Sequence, residues 1–272
     1  MDDGSDLAII SGSGKLPLLI KKLYKQAIYI TFANSKKTTE NKVVNCQFEK
    51  LGFLFDSLKE NGIRRVVMAG SISRPQFDQN KLDQYTLSIM PKLSAKLVQG
   101  DNELLSFIAK EFEKNGYQIV GASEILPDLL LKPGIVVGSP YEFISRDIEK
   151  ADKILKVLSP QDIGQGVVVE NGLVLGIETL QGTDELLKFV IKTSSHLRKD
   201  DSGGIFVKRP KCNQNLRFDM PVVGPETIEL ACKAGLRGLV VSPQSVIVLD
   251  REKCIQIAEA NDFFILAEDS KI

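Results

Sequence analysis

Between Lys208 and Asp219 the chain sets four cations, Lys208, Arg209, Lys211 and Arg217, against one carboxylate, Asp219. A local excess of three positive charges in so short a stretch suits an anion. The stretch runs into Gly224-Pro225-Glu226, where proline at the first helical position opens a helix with free N–H groups at its start. Cations and N–H groups can grip a phosphate while the isolated carboxylate holds a divalent ion. A solvated charged loop before a capped helix would have a similar composition. Against that, Arg217-Phe218-Asp219-Met220-Pro221-Val222-Val223 sets charge among apolar residues, which is costly unless the charge is paired or bound to a metal.

A second acidic position, Glu178, ends an apolar run and precedes Gly182-Thr183-Asp184-Glu185. Thr183 as a helix cap with two acids in the first turn needs no ligand. Glu178 and Asp184 can equally join Asp219 in an oxygen-ligand set of the kind that Mg²⁺ or Mn²⁺ takes. Near the N-terminus, Gly12-Ser13-Gly14-Lys15 follows an apolar run and precedes Pro17. The spacing is neither a P-loop nor G-x-G-x-x-G. Backbone approach to a phosphate and a tight strand-to-helix turn account for it equally. In Ala69-Gly70-Ser71-Ile72-Ser73-Arg74-Pro75, Arg74 can clamp a phosphate or pair with a local carboxylate. Gly100-Asp101-Asn102-Glu103 reads as a helix start with acids at the positive end of the dipole.

Other chemistries are poorly supplied. Cys46, Cys212, Cys232 and Cys254 stand singly, and His196 is the one histidine, which argues against structural zinc and multi-histidine metal sites. His196 is expected at a helix end. Catalysis therefore rests on carboxylates, lysines, arginines and backbone.

The elements that must position these groups alternate. Apolar runs at Leu7 to Ile10, Ala27 to Phe32, Arg65 to Ala69 and Tyr117 to Val120 read as strands. Helical periodicity marks Pro17 to Lys25, Leu51 to Lys59, Lys92 to Leu97 and Asn102 to Lys114. This pattern predicts a Rossmann-like parallel sheet over residues 1–132, with ligand chemistry at the carboxyl ends of its strands. The Pro- and Gly-rich segment Leu131 to Tyr141 reads as a domain boundary. Residues 133–272 then read as a mixed α/β catalytic domain. Asn171-Gly172 between two apolar runs predicts a hairpin, helices are expected at Tyr141 to Leu158, Asp184 to Leu197, Pro225 to Ala234 and Arg251 to Glu259, and strands at Ile205 to Lys208, Leu239 to Val241, Val246 to Leu249 and Phe263 to Ala267.

Composition narrows the class. The chain has 272 residues, 43% hydrophobic and 26% charged, with 35 basic side chains balanced by 35 acidic ones. These proportions are those of an ordinary globular protein, and a zero formal charge gives no general pull toward nucleic acid. No apolar run approaches the roughly 18 to 20 residues that span a bilayer, and the acidic start Met-Asp-Asp-Gly is not a secretory signal. A soluble cytoplasmic protein is expected.

Several motifs occur together: Ile10-Ser-Gly12-Ser-Gly14-Lys15-Leu-Pro17, Ala69-Gly70-Ser-Ile-Ser-Arg74-Pro75, Asp162-Ile-Gly164-Gln165-Gly166-Val-Val-Val, Glu178 with Gly182-Thr183-Asp184, and Arg217-Phe-Asp219-Met-Pro221-Val-Val-Gly224-Pro225-Glu-Thr227. In this combination and order, across nearly the whole chain, the sequence resembles the LpxI-type UDP-2,3-diacylglucosamine pyrophosphatases. The resemblance implies hydrolysis of a UDP-linked, doubly acylated glucosamine to UMP and diacylglucosamine 1-phosphate (lipid X) for lipid A synthesis. It implies a divalent cation, Mg²⁺ or Mn²⁺, and two domains with the lipid held between them. Asp219 matches the family's catalytic aspartate, with Lys208, Lys211, Gln214 and Arg217 in the surrounding basic motif. Gly12, Gly14, Lys15, Gly70, Arg74, Gln165, Thr183, Gln214 and Thr227 fall on the substrate side, and Asp219, Glu178 and Asp184 on the metal side. Asn215 and Leu180-Gln181 depart from the family by lacking carboxylates common there. The amphiphilic substrate implies peripheral contact with the inner face of the bacterial inner membrane, and a homodimer is a further expectation. Two rivals differ in class: a Rossmann-type enzyme using a nucleotide cofactor, and a non-catalytic nucleotide- or lipid-binding protein.

Overall fold

A computed structural model of the chain describes residues 2–32, 42–72, 75–99, 101–193, 197–198 and 203–271. The chain divides into two units. One is Met1–Pro127 with Arg217–Asp219, and the other is Asp128–Leu216 with Met220–Ile272.

The first unit carries β1 (Leu7–Ser11), α1 (Leu16–Leu23), β2 (Ile28–Phe32), β3 (Val43–Cys46), α2 (Leu51–Glu60), β4 (Arg65–Ala69), α3 (Gln84–Leu97), α4 (Asp101–Lys114), β5 (Gln118–Ile119) and the short α5 (Ala122–Ile125). Its strands lie in the order β3-β2-β1-β4-β5, all parallel. This is the Rossmann-like order, in which the direction of winding reverses between β1 and β4. Every residue of β1 and β2 is buried, as expected of a parallel sheet covered on both faces. Ala8, Ile10, Ile28, Ile30, Val66 and Ile119 form one core with Leu54, Leu58 and Phe112 of the covering helices.

Two features of this unit differ from the sequence expectation. Strand β3 carries no strong apolar signal, because Val43 and Val44 are only half-buried and Asn45 is exposed. Helix α3 starts eight residues before Lys92 and runs through Pro91. Proline removes one hydrogen bond from the preceding turn, and here it sits exposed, as does Leu87 four residues before it. Asp83 fixes the start of the helix by accepting from Thr86 N–H at 2.8 Å.

The second unit carries β6 (Gly134–Val137), α6 (Ile144–Leu158), β7 (Gly166–Glu170), β8 (Leu173–Ile177), α7 (Gly182–Ile191), β9 (Ile205–Lys208), β10 (Val222–Val223), α8 (Pro225–Lys233), β11 (Gly238–Val241), β12 (Ile247–Val248), α9 (Arg251–Ala260) and β13 (Phe264–Ala267). Six strands form a mixed sheet in the order β6-β13-β11-β9-β7-β8. Strands β9, β11 and β13 are parallel, while β6 and β7 run against their neighbours. The Gly- and Pro-rich stretch is thus not all linker, since Gly134–Val137 is an edge strand. β10 and β12 form a separate parallel pair.

The β7–β8 hairpin turns at Asn171 and Gly172, both at positive φ (49° and 77°), the geometry that Asn-Gly favours. Buried Asp147 accepts from both turn N–H groups, at 3.0 and 2.7 Å. Strand alternation sorts the two faces. Val167, Val169, Ile205 and Val207 pack toward α6, whereas Val168 and Phe206 join the core beneath α7, α8 and α9. Lys208 is two residues beyond Phe206, so it leaves the sheet on the α7–α8 face.

Candidate active site

In the first unit the loops after β1 and β4 are stitched together at the carboxyl edge of the sheet. Gly12 N–H donates to Ala69 O at 2.8 Å, and Ser13 and Ser71 exchange backbone hydrogen bonds at 2.7 and 3.1 Å. A Cβ on Gly12 would lie 2.4 Å from Ser71 O, and one on Gly70 2.2 Å from Ser13 O. Both glycines are therefore required by the close approach of two backbones. Gly14 faces open space at φ 103°, and exposed Lys15 directly precedes α1. Arg74, Gly100 and His196 lie outside the described residues.

Asp219 also belongs to this unit. The tripeptide Arg217–Asp219 clusters with the N-terminal residues although its sequence neighbours do not. Phe218 is 9% exposed and joins the core that includes Tyr117 and Ile119. Arg217 pairs with Glu113 of α4 at 2.9 Å. A Cβ on Gly121, just beyond β5, would lie 3.3 Å from Arg217 Cα. The half-buried Asp219 thus stands two residues from backbone that packs against Gly121, just beyond β5.

In the second unit Glu178 follows β8 and Lys208 ends β9. Lys208 Nζ donates to Glu178 Oε2 at 2.9 Å, to Glu178 Oε1 at 3.3 Å and to Thr183 Oγ1 at 2.6 Å. The two charged side chains are 3% and 8% exposed. The Asp162-Ile-Gly-Gln-Gly motif makes room for this cluster. A Cβ on Gly164 would lie 1.8 Å from Glu178 O, and one on Gly166 2.5 Å from Glu178 Oε2. Asp162, at φ 58°, pairs with Lys211.

All four cations of the basic stretch thus find a carboxylate from elsewhere in the chain. Lys208 pairs with Glu178, Arg209 with Asp152 at 2.9 Å, Lys211 with Asp162 and Arg217 with Glu113. The excess of three positive charges along the sequence is neutralised by the fold. The pairs differ in exposure. Arg209 and Asp152 are as buried as the Lys208 pair, Lys211 and Asp162 are 15% and 32% exposed, and Arg217 and Glu113 are 44% and 41% exposed. Exchanging a carboxylate for a phosphate is cheap only for the exposed pairs. Lys208, expected on the phosphate, is here bonded to Glu178 and Thr183 and deeply buried.

Thr183 is engaged by Lys208, and buried Thr227 accepts from Gly224 N–H at the start of α8 (3.4 Å). Gln214 Oε1 accepts from Lys211 N–H at 2.9 Å. Its Nε2, like Gln165 Oε1, is buried with no partner among the described residues. An unmatched buried amide is costly, and both amides stand in the loops that carry Lys211 and the Gly164–Gly166 turn.

Of the three carboxylates expected to hold a metal, Asp219 belongs to the first unit and Glu178 and Asp184 to the second. Among the described residues no three His, Cys, Asp or Glu side chains are placed to hold an ion. Both Glu178 oxygens face the Lys208 ammonium. The carboxyl of half-buried Asp184 is held above its usual range by burial and then by the charge of Glu226, with Lys188 and Lys208 acting the other way. What the donor chemistry permits is the mode common for Mg²⁺, one or two carboxylates completed by substrate phosphates.

Sequence reasoning missed Asp162, Asp152 and Glu113 as partners of the basic stretch. Only the Asp-Ile-Gly-Gln-Gly motif carried a signal for one of them.

Comparison with known proteins covers both units. The LpxI N-terminal domain family matches residues 6–129, and the LpxI C-terminal domain family matches residues 133–266. A relative from Caulobacter vibrioides, UDP-2,3-diacylglucosamine pyrophosphatase LpxI, is 36% identical over 223 residues, which cover 81% of this chain and 80% of that protein.

Proposed function

The chain belongs to the LpxI family, and from that premise we propose that it hydrolyses the pyrophosphate of UDP-2,3-diacylglucosamine to UMP and 2,3-diacylglucosamine 1-phosphate in lipid A biosynthesis. The observation that carries this reading is the match to a UDP-2,3-diacylglucosamine pyrophosphatase over four fifths of both chains.

The chemistry follows from charge. Two linked phosphates repel an incoming water, so the protein must neutralise oxygen charge and fix the reacting groups in place. Asp219 is the carboxylate assigned to the reacting centre, where it would hold Mg²⁺ or Mn²⁺ together with the pyrophosphate oxygens. A divalent ion there supplies positive charge against the phosphate oxygens. Lys211 and Arg217, whose carboxylate partners are the more exposed ones, take phosphate oxygens in exchange for Asp162 and Glu113. Gln165 and Gln214 offer their unmatched amide atoms to polar groups of the substrate. Lys208 and Glu178 act on the site at one remove, by fixing the turn that carries Thr183. Among the described residues no helix is long and apolar enough to cross a membrane, and contact with a membrane surface rests on the amphiphilic substrate alone.

The test is product identification. Incubation of the purified chain with UDP-2,3-diacylglucosamine and Mg²⁺ is expected to release UMP, detected by mass spectrometry. EDTA is expected to stop the release and added Mg²⁺ or Mn²⁺ to restore it. Release unaffected by EDTA would remove the metal from the mechanism, and no release under any condition would remove the substrate assignment.

A further inference from the structure

We propose that Phe218 is the positioning residue for Asp219: its ring, buried in the core of the N-terminal unit, fixes the neighbouring carboxylate to that unit. This rests on the reading of Asp219 as the carboxylate of the reacting centre. The tripeptide Arg217–Asp219 has no regular secondary structure to hold it, and its sequence neighbours belong to the other unit. Three observations bear on what holds it. Phe218 is 9% exposed within the cluster that contains Tyr117, Ile119 and Phe112. Arg217 bonds to Glu113 at 2.9 Å, but that pair is more than 40% exposed on both sides, so it contributes little. Gly121 brings its backbone against Arg217 Cα so closely that even a methyl group would stand 3.3 Å away.

Burying a phenylalanine supplies by far the largest of these terms. An anchor one residue from a reacting carboxylate leaves few free torsions between them, so the core sets the carboxylate's place. A catalytic group displaced by about 1 Å can lose a hundredfold in rate. Phe218 itself touches no reacting atom in this scheme. Its effect passes through Asp219, and the expected signature is a loss in kcat rather than in KM.

The experiment compares full-length variants in steady-state hydrolysis of UDP-2,3-diacylglucosamine, each assayed well below its own melting temperature. Phe218→Ala is expected to lower kcat by about tenfold or more with KM within twofold, and Phe218→Leu to recover most of the loss. Leu54→Ala, a fully buried residue of the same core, is the control, expected to lower the melting temperature at least as much and leave kcat within twofold. Gly121→Ala crowds the tripeptide without touching its anchor and is expected to lower kcat about threefold, which keeps the idea testable should Phe218→Ala not fold. Phe218→Ala or Gly121→Ala at wild-type kcat would overturn the proposal, as would an equal kcat loss in Leu54→Ala. Asp219→Asn separates the two levels: if it is inactive while Phe218→Ala is normal, only the positioning role fails, and if it turns over normally, both fail.

Discussion

Lys208 Nζ stands 2.9 Å from Glu178 Oε2, with Thr183 Oγ1 as a further acceptor at 2.6 Å, and both charged side chains are more than nine-tenths buried. Neighbouring glycines have no side chain to compete for the space, so the pair is closed to solvent and satisfied from within. A buried ion pair of this kind adds little net stability over an apolar pair, but breaking it strands an uncompensated charge.

Glu178→Gln and Lys208→Met are therefore each expected to destabilise the chain by about 3–5 kcal/mol, read as a shift in urea midpoint. The double variant is expected to recover more than half of that loss. Additive losses would contradict a direct pair.

The glycines of the Asp-Ile-Gly-Gln-Gly motif give a steric prediction. Gly164→Ala combines a positive φ with a Cβ 1.8 Å from the Glu178 carbonyl. Gly172→Ala has a comparable φ of 77° but open space around it. Left-handed backbone alone costs about 1–2 kcal/mol, so Gly172→Ala is expected to lose about that much and Gly164→Ala clearly more. Equal losses in a denaturant titration would show that the contact with Glu178 does not matter.

Asp184 yields a pH dependence. Burial, then Glu226, raises its folded value above the ordinary 3.8, so the native state keeps this proton to higher pH than the unfolded chain does. Stability from this group is then greatest at low pH and falls as pH rises through the raised value. Melting curves between pH 4 and 7 without divalent ions are expected to show a smaller decline with rising pH in Asp184→Asn than in the wild type. An unchanged slope would mean that the carboxyl is not perturbed.

Asp83 behaves in the opposite sense. Its carboxylate caps α3 through Thr86 N–H (2.8 Å) and also accepts from Gly52 and Phe53 N–H at the start of α2 (2.8 and 3.3 Å). Burial opposes its ionisation, but these hydrogen bonds outweigh it and hold the carboxyl below its ordinary value. Its contribution is present above the unfolded value and is lost as pH falls through the folded one. Asp83→Ala is expected to cost about 1–2 kcal/mol at pH 7, with the difference from wild type shrinking in acid. A constant difference across pH would contradict the carboxylate's role.

These sites show how far the sequence could be read. Leu7 to Ile10, the Asn171-Gly172 hairpin and the Pro225 helix start are local signals, and each appears where its residues predict. Strand Val43–Cys46 was hidden because it is short, its two valines are only half-buried and Asn45 is exposed, and helix Gln84–Leu97 because Pro91 reads as a breaker when its exposure is unknown. The candidate site was harder for a different reason. Charge counted along Lys208 to Asp219 suggested an open anion site, yet the neutralising carboxylates are 30, 57, 49 and 104 residues away from their cations. Partners that distant are set by sheet order and helix packing, which no local window contains. The family resemblance pointed to Asp219, but only the fold shows that Arg217–Asp219 belongs with the N-terminal unit and that Phe218 lies in its core.

The central claim is that Asp219 works at the reacting centre of a pyrophosphatase. The most direct measurement is the turnover of UDP-2,3-diacylglucosamine by Asp219→Asn at saturating Mg²⁺, alongside its melting curve. A rate lower by at least about a hundredfold, the scale of losing one preorganised electrostatic group, with melting unchanged, is the predicted result. Turnover within a few-fold of wild type by the folded variant would contradict it.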